Sequence, residues 1–262
     1  MAGTLAGKNA LVGGASQGIG RACAIELARL GAAVTIMARD EKALAEVVAM
    51  LDVSAGQKHK FLAVDFSDPN ALREQVSKHI QVNGPVQILV NNTGGPPHGA
   101  LLDATPDQFL KAISDHVVCN QLLVQAVLPG MKTAGYGRIV NIISTSVVAP
   151  IKGLGVSNTT RGAVAQWART LAGELAPLGI TVNNVLPGYT ATARLRTLFD
   201  AKAAKAGKTA DEIERQTVDA IPMGRLADPA EIGAVVAFLA SPAASYVTGV
   251  NLPVDGGRTA VQ

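Results

Sequence analysis

Residues Asn9-Ala10-Leu11-Val12-Gly13-Gly14-Ala15-Ser16-Gln17-Gly18-Ile19-Gly20 join a short apolar run to a glycine-rich turn and then to an amphipathic segment. The apolar run has the length and character of a buried strand. Beyond the turn, Ile19, Cys23, Leu27 and Leu30 recur on one helical face, with Arg21, Glu26 and Arg29 elsewhere. Glycines at such a turn allow positive φ and let a phosphate approach the backbone. The helix that follows offers unpaired N–H groups and the positive end of its dipole. Strand, turn and helix in that order are the context that gives a glycine cluster its dinucleotide meaning. Gly14, Ser16, Gln17, Gly18, Ile19 and Gly20 are therefore the first candidate cofactor-binding residues.

Outward from the turn, the same alternation continues through the chain. Val/Ile/Leu-rich runs predict strands at residues 9–13, 33–38, 60–64, 87–91, 138–143, 180–185 and 249–254. Their nearly continuous hydrophobicity fits strands buried on both faces. Helical patterns lie between them; Val164, Trp167, Leu171 and Leu175 form one such stripe. Strand and helix in alternation predict parallel strands joined by right-handed crossovers. No linker or repeat divides the sequence, so residues 1–262 read as a single-domain, doubly wound α/β Rossmann fold. Only residues 193–221 break the rhythm, as an Ala- and Lys-rich helical insertion. They read either as a solvated helix pair or as a lid over a substrate cleft.

Composition excludes several function classes. Lys and Arg total 23 against 20 Asp and Glu, a net charge of +3, too small to argue for nucleic acid. Aromatic residues are only 3% of the chain, which leaves few stacking platforms for bases. Cys23 and Cys119 form no Cys-x-x-Cys pair, and His59, His79, His98 and His116 show no ligand spacing, so no metal is expected. No run approaches the ~20 apolar residues of a membrane span, and no secretory leader pattern opens the sequence. A reducing cytoplasm is the default location. At the end of the second predicted strand, Ala38 is followed by Arg39 where an acidic residue would meet the ribose of NAD(H). An arginine there suits the additional phosphate of NADP(H), which is preferred, with NAD(H) as the alternative.

These residues resemble the classical short-chain dehydrogenase/reductase family across essentially the whole chain. Gly14-x-x-x-Gly18-x-Gly20 is similar to its cofactor motif, with Gly13 in place of the usual threonine. Asp65, followed by Phe66, resembles the acidic residue that meets the adenine. Asn91-Asn92-Thr93-Gly94 is similar to the family's Asn-Asn-Ala-Gly segment, which puts Asn91, Thr93 and Gly94 at the cofactor. Pro187-Gly188-Tyr189-Thr190-Ala191-Thr192 resembles the loop that holds the nicotinamide amide, naming Pro187, Gly188, Thr190 and Thr192. Matches continue through Asp228-Pro229-Ala230-Glu231-Ile232 and Asp255-Gly256-Gly257. The resemblance implies a seven-stranded parallel sheet, usually a homotetramer, and a catalytic set of Asn, Ser, Tyr and Lys.

Carried over by position, that set changes in three of its four members. Ser144 keeps the serine, but Ser157 stands for the tyrosine, Arg161 for the lysine and His116 for the asparagine. A serine hydroxyl is far less acidic than a tuned phenol, and Arg161 grips ribose hydroxyls without giving up a proton. General acid–base help is worth ~10²–10⁴-fold, so ordinary carbonyl reduction slows unless something substitutes. His116 reads either as an acid or base near neutral pH, oriented by Asp115, or as a structural hydrogen-bonding group. Tyr189 and His98 are further cleft candidates, against plain packing or loop roles.

Three functions follow. The first is an NADP(H)-dependent oxidoreductase reducing a carbonyl or conjugated enone of a small molecule. The second is a cofactor-binding paralogue without turnover; the third is a non-redox lyase or isomerase using His116. Five basic residues against Asp200 between Arg194 and Lys208 also raise an acidic substrate, against a solvated face.

Overall fold

The computed structural model describes residues 3–261. Seven parallel strands form one sheet: β1 (Asn9–Gly13), β2 (Ala33–Ala38), β3 (Lys60–Ala63), β4 (Ile88–Asn91), β5 (Gly137–Ile142), β6 (Ile180–Pro187) and β7 (Asn251–Val254). Their spatial order is β3-β2-β1-β4-β5-β6-β7. The chain starts mid-sheet, winds outward to β3, and returns to lay β4 beside β1. That reversal opens a crevice beyond the carboxyl ends of β1 and β4. β6 runs two residues further than its apolar pattern predicts, to Pro187. β7 starts later than predicted, because Gly249 lies at φ +76 and breaks extended geometry.

Alternate side chains of each strand enter two cores. Ala10, Val12, Val34, Ile36, Ile88 and Val90 pack with α1 (Gly18–Arg29), α2 (Glu41–Met50) and α9 (Pro229–Ala240). Leu11, Met37, Leu89, Ile139 and Val182 face α3 (Pro69–Asn83), α5 (Cys119–Ala134) and α6 (Gly155–Leu175). Small residues replace aromatics as the packing device. A Cβ on Gly233 of α9 would lie 2.8 Å from the carbonyl oxygen of Ala22 on α1, so the two helices meet backbone to backbone. α4 (Pro106–Ile113) continues through a π-helical turn, Ser114–Val118, into α5. Residues 193–221 fold largely as α7 (Ala193–Ala206) and α8 (Ala210–Asp219), joined beside Gly207 and clasped by Arg196 on Asp211 at 2.9 Å.

Polar groups also cross the sheet interior. Asn91 Nδ2 donates to Asn141 Oδ1 at 2.8 Å, Asn141 Nδ2 to Asn184 Oδ1 at 2.9 Å, and Asn184 Nδ2 to Asn251 Oδ1 at 2.8 Å. These residues are paired in register from β4 to β7. The ladder fixes that register, because a one-residue slip would strand each amide among apolar side chains. Asn141 is fully buried. Asn141→Ala therefore leaves Asn91 Nδ2 and Asn184 Oδ1 without partners, at ~1–3 kcal/mol for each. A lowered urea midpoint with an unchanged m-value is the expected result.

Candidate active site

The glycine turn is built by close approach. Gly14 and Gly18 adopt φ +57 and +58, a left-handed geometry that strains any residue with a Cβ. A Cβ on Gly20 would sit 2.3 Å from the Gly14 carbonyl oxygen, and one on Gly13 would sit 2.6 Å from that of Asn92. Glycine at position 13 is thus sterically required here. Asn92 Nδ2 donates to the carbonyls of Gly13 and Gly14 at 3.1 and 3.2 Å, tying the end of β4 to the turn. α2, α3 and α9 each have an Asp side chain capping their first turn, whereas Gln17 gives α1 no side-chain cap. The uncapped first turn of α1 faces a cleft of about 1040 Å³.

Gly14, Ser16, Gln17, Gly18, Ile19 and Gly20 line that cleft at one end. Arg39, Asp65 and Phe66 line it beyond β2 and β3, and Thr93 and Gly94 beyond β4. Arg39 is exposed and, among the described residues, has no carboxylate within ion-pair distance; its neighbour Asp40 caps α2. Asp65 accepts from Ser67 N at 2.9 Å, and that bond, aided by the charge of Arg39, holds its carboxyl below the usual range. Asn91 is corrected: its amide belongs to the ladder, it is 2% exposed, and it does not line the cleft. Asn92 is the residue that meets the turn. Only the turn's need for a donor to two outward carbonyls could have pointed to it.

A second cavity of about 180 Å³ adjoins the cleft. Pro187, Gly188, Tyr189, Thr190 and Thr192 form one wall. The pair Ala191 N to Ala227 O and Ala227 N to Tyr189 O, both 2.9 Å, pins this loop. Thr192 accepts from Leu195 N to cap α7, and its methyl would lie 3.3 Å from a Cβ on Gly18. Ser144 lines the same cavity; its Oγ accepts from Ser146 N at 3.1 Å, which leaves its O–H free to donate outward. His98 lines the mouth of the cavity, its pKa lowered by partial burial of the ring and by the charges of Arg194, Lys202 and Lys205.

The remaining candidates stand behind this wall. Ser157 and Arg161 lie one turn apart on α6 and line neither cavity. Arg161 donates to Ile142 O at 2.9 Å, and burial and Arg194 push its pKa down to about 10, so it stays charged at neutral pH. His116 sits in the π-helical turn, 2% exposed. Burial, with the charges of Arg161 and Arg194, pushes its pKa down to about 2, against a hydrogen bond to the Gly94 backbone. Titration near neutral pH is therefore corrected: the imidazole stays neutral. Asp115 does not orient it but pairs with Lys111 at 2.8 Å. Within the basic run, one residue is paired. Arg196 is neutralised by Asp200, Asp211 and Glu214.

A glycine turn, an uncapped helix and a crevice at the sheet's reversal describe a dinucleotide-binding fold. Residues 14–259 match the family model described as enoyl-(acyl carrier protein) reductase. The chain belongs to the classical short-chain dehydrogenase/reductase family. A 3-oxoacyl-(acyl-carrier-protein) reductase of Vibrio harveyi is 35% identical over 255 residues, covering 97% of this chain and 98% of that protein. A tropinone reductase homolog of Arabidopsis thaliana is 35% identical, covering 98% of this chain and 94% of that one. The L-sorbose reductase of Gluconobacter frateurii, solved with NADPH and L-sorbose, superposes with a TM-score of 0.92 at 28% identity, covering 99% of both chains. Short-chain dehydrogenase/reductase architecture thus spans the chain, and among the described residues no helix is long and apolar enough to cross a membrane.

The neutral His116 has a thermodynamic consequence. Its folded pKa of about 2 lies below its ordinary 6.5, so the unfolded chain binds a proton first as pH falls. Its contribution to stability is complete above pH 6.5 and is lost on acidification toward pH 2. Between pH 7 and pH 5 that loss is about 2 kcal/mol for one group at ~1.4 kcal/mol per pH unit. His116→Gln should therefore lose less stability than wild type over that interval, read from paired urea titrations.

Proposed function

We propose that this short-chain dehydrogenase/reductase uses NADP(H) to reduce a small-molecule carbonyl or, better, a conjugated enone, without a Tyr-x-x-x-Lys proton relay. The cradle fits a dinucleotide. A Cβ cannot enter at Gly13 or Gly20, α1 is uncapped, and the cleft of about 1040 Å³ has Arg39 free at its far end. Gly14, Ser16, Gln17, Gly18 and Ile19 would hold the pyrophosphate, Arg39 the additional phosphate of NADP(H), Asp65 the adenine, and Thr190 and Thr192 the amide. When bound, the nicotinamide supplies the hydride.

One observation carries the preference for an enone. Ser144 and Arg161 can stabilise negative charge on oxygen, but the buried groups at His116, Arg161 and Cys119 exchange no proton near neutral pH. His116 is neutral down to about pH 2, and Arg161 holds its proton to about 10. Cys119, buried with its thiol donating to Phe66 O, is pushed up to about 12. Ser144 donates its free O–H to the substrate oxygen as charge gathers there, and Arg161 adds positive potential. An enone reduced at its β-carbon leaves an enolate, which water in the open cleft protonates at carbon. A ketone leaves a far more basic alkoxide that needs a proton donor at once. A pKa of about 2 makes the His116 imidazole too weak a base for a lyase.

The test is NADPH consumption with a panel of enones and their saturated ketones. Faster turnover of the enones is expected, and Ser144→Ala should lower kcat by about 10²-fold, as for removal of one oxyanion donor. Arg39→Ala should weaken NADPH about ten- to hundredfold and leave NADH nearly unchanged. No NADPH consumption with any member would overturn turnover and leave a cofactor-binding protein.

A further inference from the structure

The cavity of about 180 Å³ is unusual in its charge. Arg194 and Arg258 both line it, and no carboxylate side chain does. Among the described residues neither guanidinium lies within ion-pair distance of an acidic group. Asp255 feels the charge of Arg258, yet its carboxylate oxygens accept from Gly257 N, Thr259 N and Thr259 Oγ1. Arg194 packs on Gly95, where a Cβ would lie 2.6 Å from Nη2. Its charge depresses the pKa of Arg161, His116 and His98, and Lys202 and Lys205 on α7 add to the field at His98. Arg258 lies over the Tyr189 ring, 5.2 Å from its centroid, which fixes its approach to the cavity.

Ile19, Ile151, Leu195 and Leu198 supply apolar wall beside the uncharged polar groups of Ser144, Thr190 and Thr192. A chamber with apolar wall, two guanidinium groups without a carboxylate partner and no acid in its lining accepts a ligand with a compact, partly apolar body and an anionic end. Arg194 also borders the large cleft, so it could meet a cofactor phosphate instead; Arg258 borders the small cavity alone. We infer that Arg258, with Arg194, binds the carboxylate of an anionic substrate in this cavity, making Arg258 a specificity-determining residue. The inference deepens the reductase reading and rests on it for which cavity takes substrate. The carboxylate anchored there holds the reducible carbon chain toward Ser144 on the same cavity wall.

Calorimetric binding to the NADP⁺-saturated protein separates the two readings. Levulinate, phenylglyoxylate and a cyclohexenone carboxylate are each compared with their methyl esters. At least one acid should bind about ten- to hundredfold more tightly than its ester, the worth of a charged hydrogen bond. Arg258→Met should erase that difference while leaving ester binding unchanged, and Arg258→Lys should restore part of it. Wild-type thermal unfolding of each variant excludes misfolding as the cause. Equal binding of acid and ester, equal loss of both in Arg258→Met, or no binding of any acid overturns the inference. Turnover of esters but not preference for acids would sink the anion site alone. Acid binding through Arg258 without NADPH consumption supports the site and overturns the reductase reading.

Discussion

The hydrogen bonds from Asn92 Nδ2 to the carbonyls of Gly13 and Gly14 hold the rest of the site in place. A strand that turns sharply at its carboxyl end leaves carbonyls pointing where no neighbouring strand can reach them. Because β4 returns beside β1, the residue just past β4 is the one able to supply a donor. With that donor in place, Gly14 and Gly18 can take left-handed geometry, Gly20 can pack on the Gly14 carbonyl, and α1 can start without a cap. The loop after β6 then closes onto the turn through Thr192 beside Gly18. One amide thus links two strand ends, and Thr192 brings the loop after β6 to the same turn.

Much of this was legible from local pattern. The apolar runs predicted all seven strands, because strands buried on both faces carry that hydrophobicity whatever lies beside them. The glycine spacing marked the turn, since positive φ is a local demand. What pattern missed depends on register or on distance. Asn91, Asn141, Asn184 and Asn251 are far apart in sequence, and only the pairing of β4 to β7 makes them a ladder. That is why Asn91 read as a cofactor residue and Asn92 went unremarked. Arg196 read as part of a basic stripe, because its acidic partners Asp211 and Glu214 arrive on the next helix.

His116 shows the same limit in electrostatic form. Its residue type suggests titration near neutral pH, and Asp115 beside it suggests orientation. Both expectations assume that sequence neighbours are spatial neighbours. In the helix, Asp115 pairs one turn back with Lys111, while His116 turns inward. Its environment is then set first by burial and next by Arg161 on α6 and Arg194 on α7, both cationic and both distant in sequence. The π-helical turn, which inserts one residue into the helical repeat, occurs at this position.

Taken together, the two halves of the site obey different constraints. Beneath the large cleft, backbone geometry dominates: a substitution at Gly13 or Gly20 collides with main chain, which cannot yield. Around Ser144 the determinants are side chains on α6, α7 and the carboxyl-terminal turn, with no main-chain collision enforcing their identity. Residues 157 and 161 line neither cavity, so their identity is set apart from the geometry of the glycine turn. The electrostatics there follow from side chains too: burial and the charges of Arg161 and Arg194 keep His116 neutral, while Arg258 adds positive charge to the small cavity. Such a field favours negative charge on a bound oxygen or carboxylate at any pH near neutral.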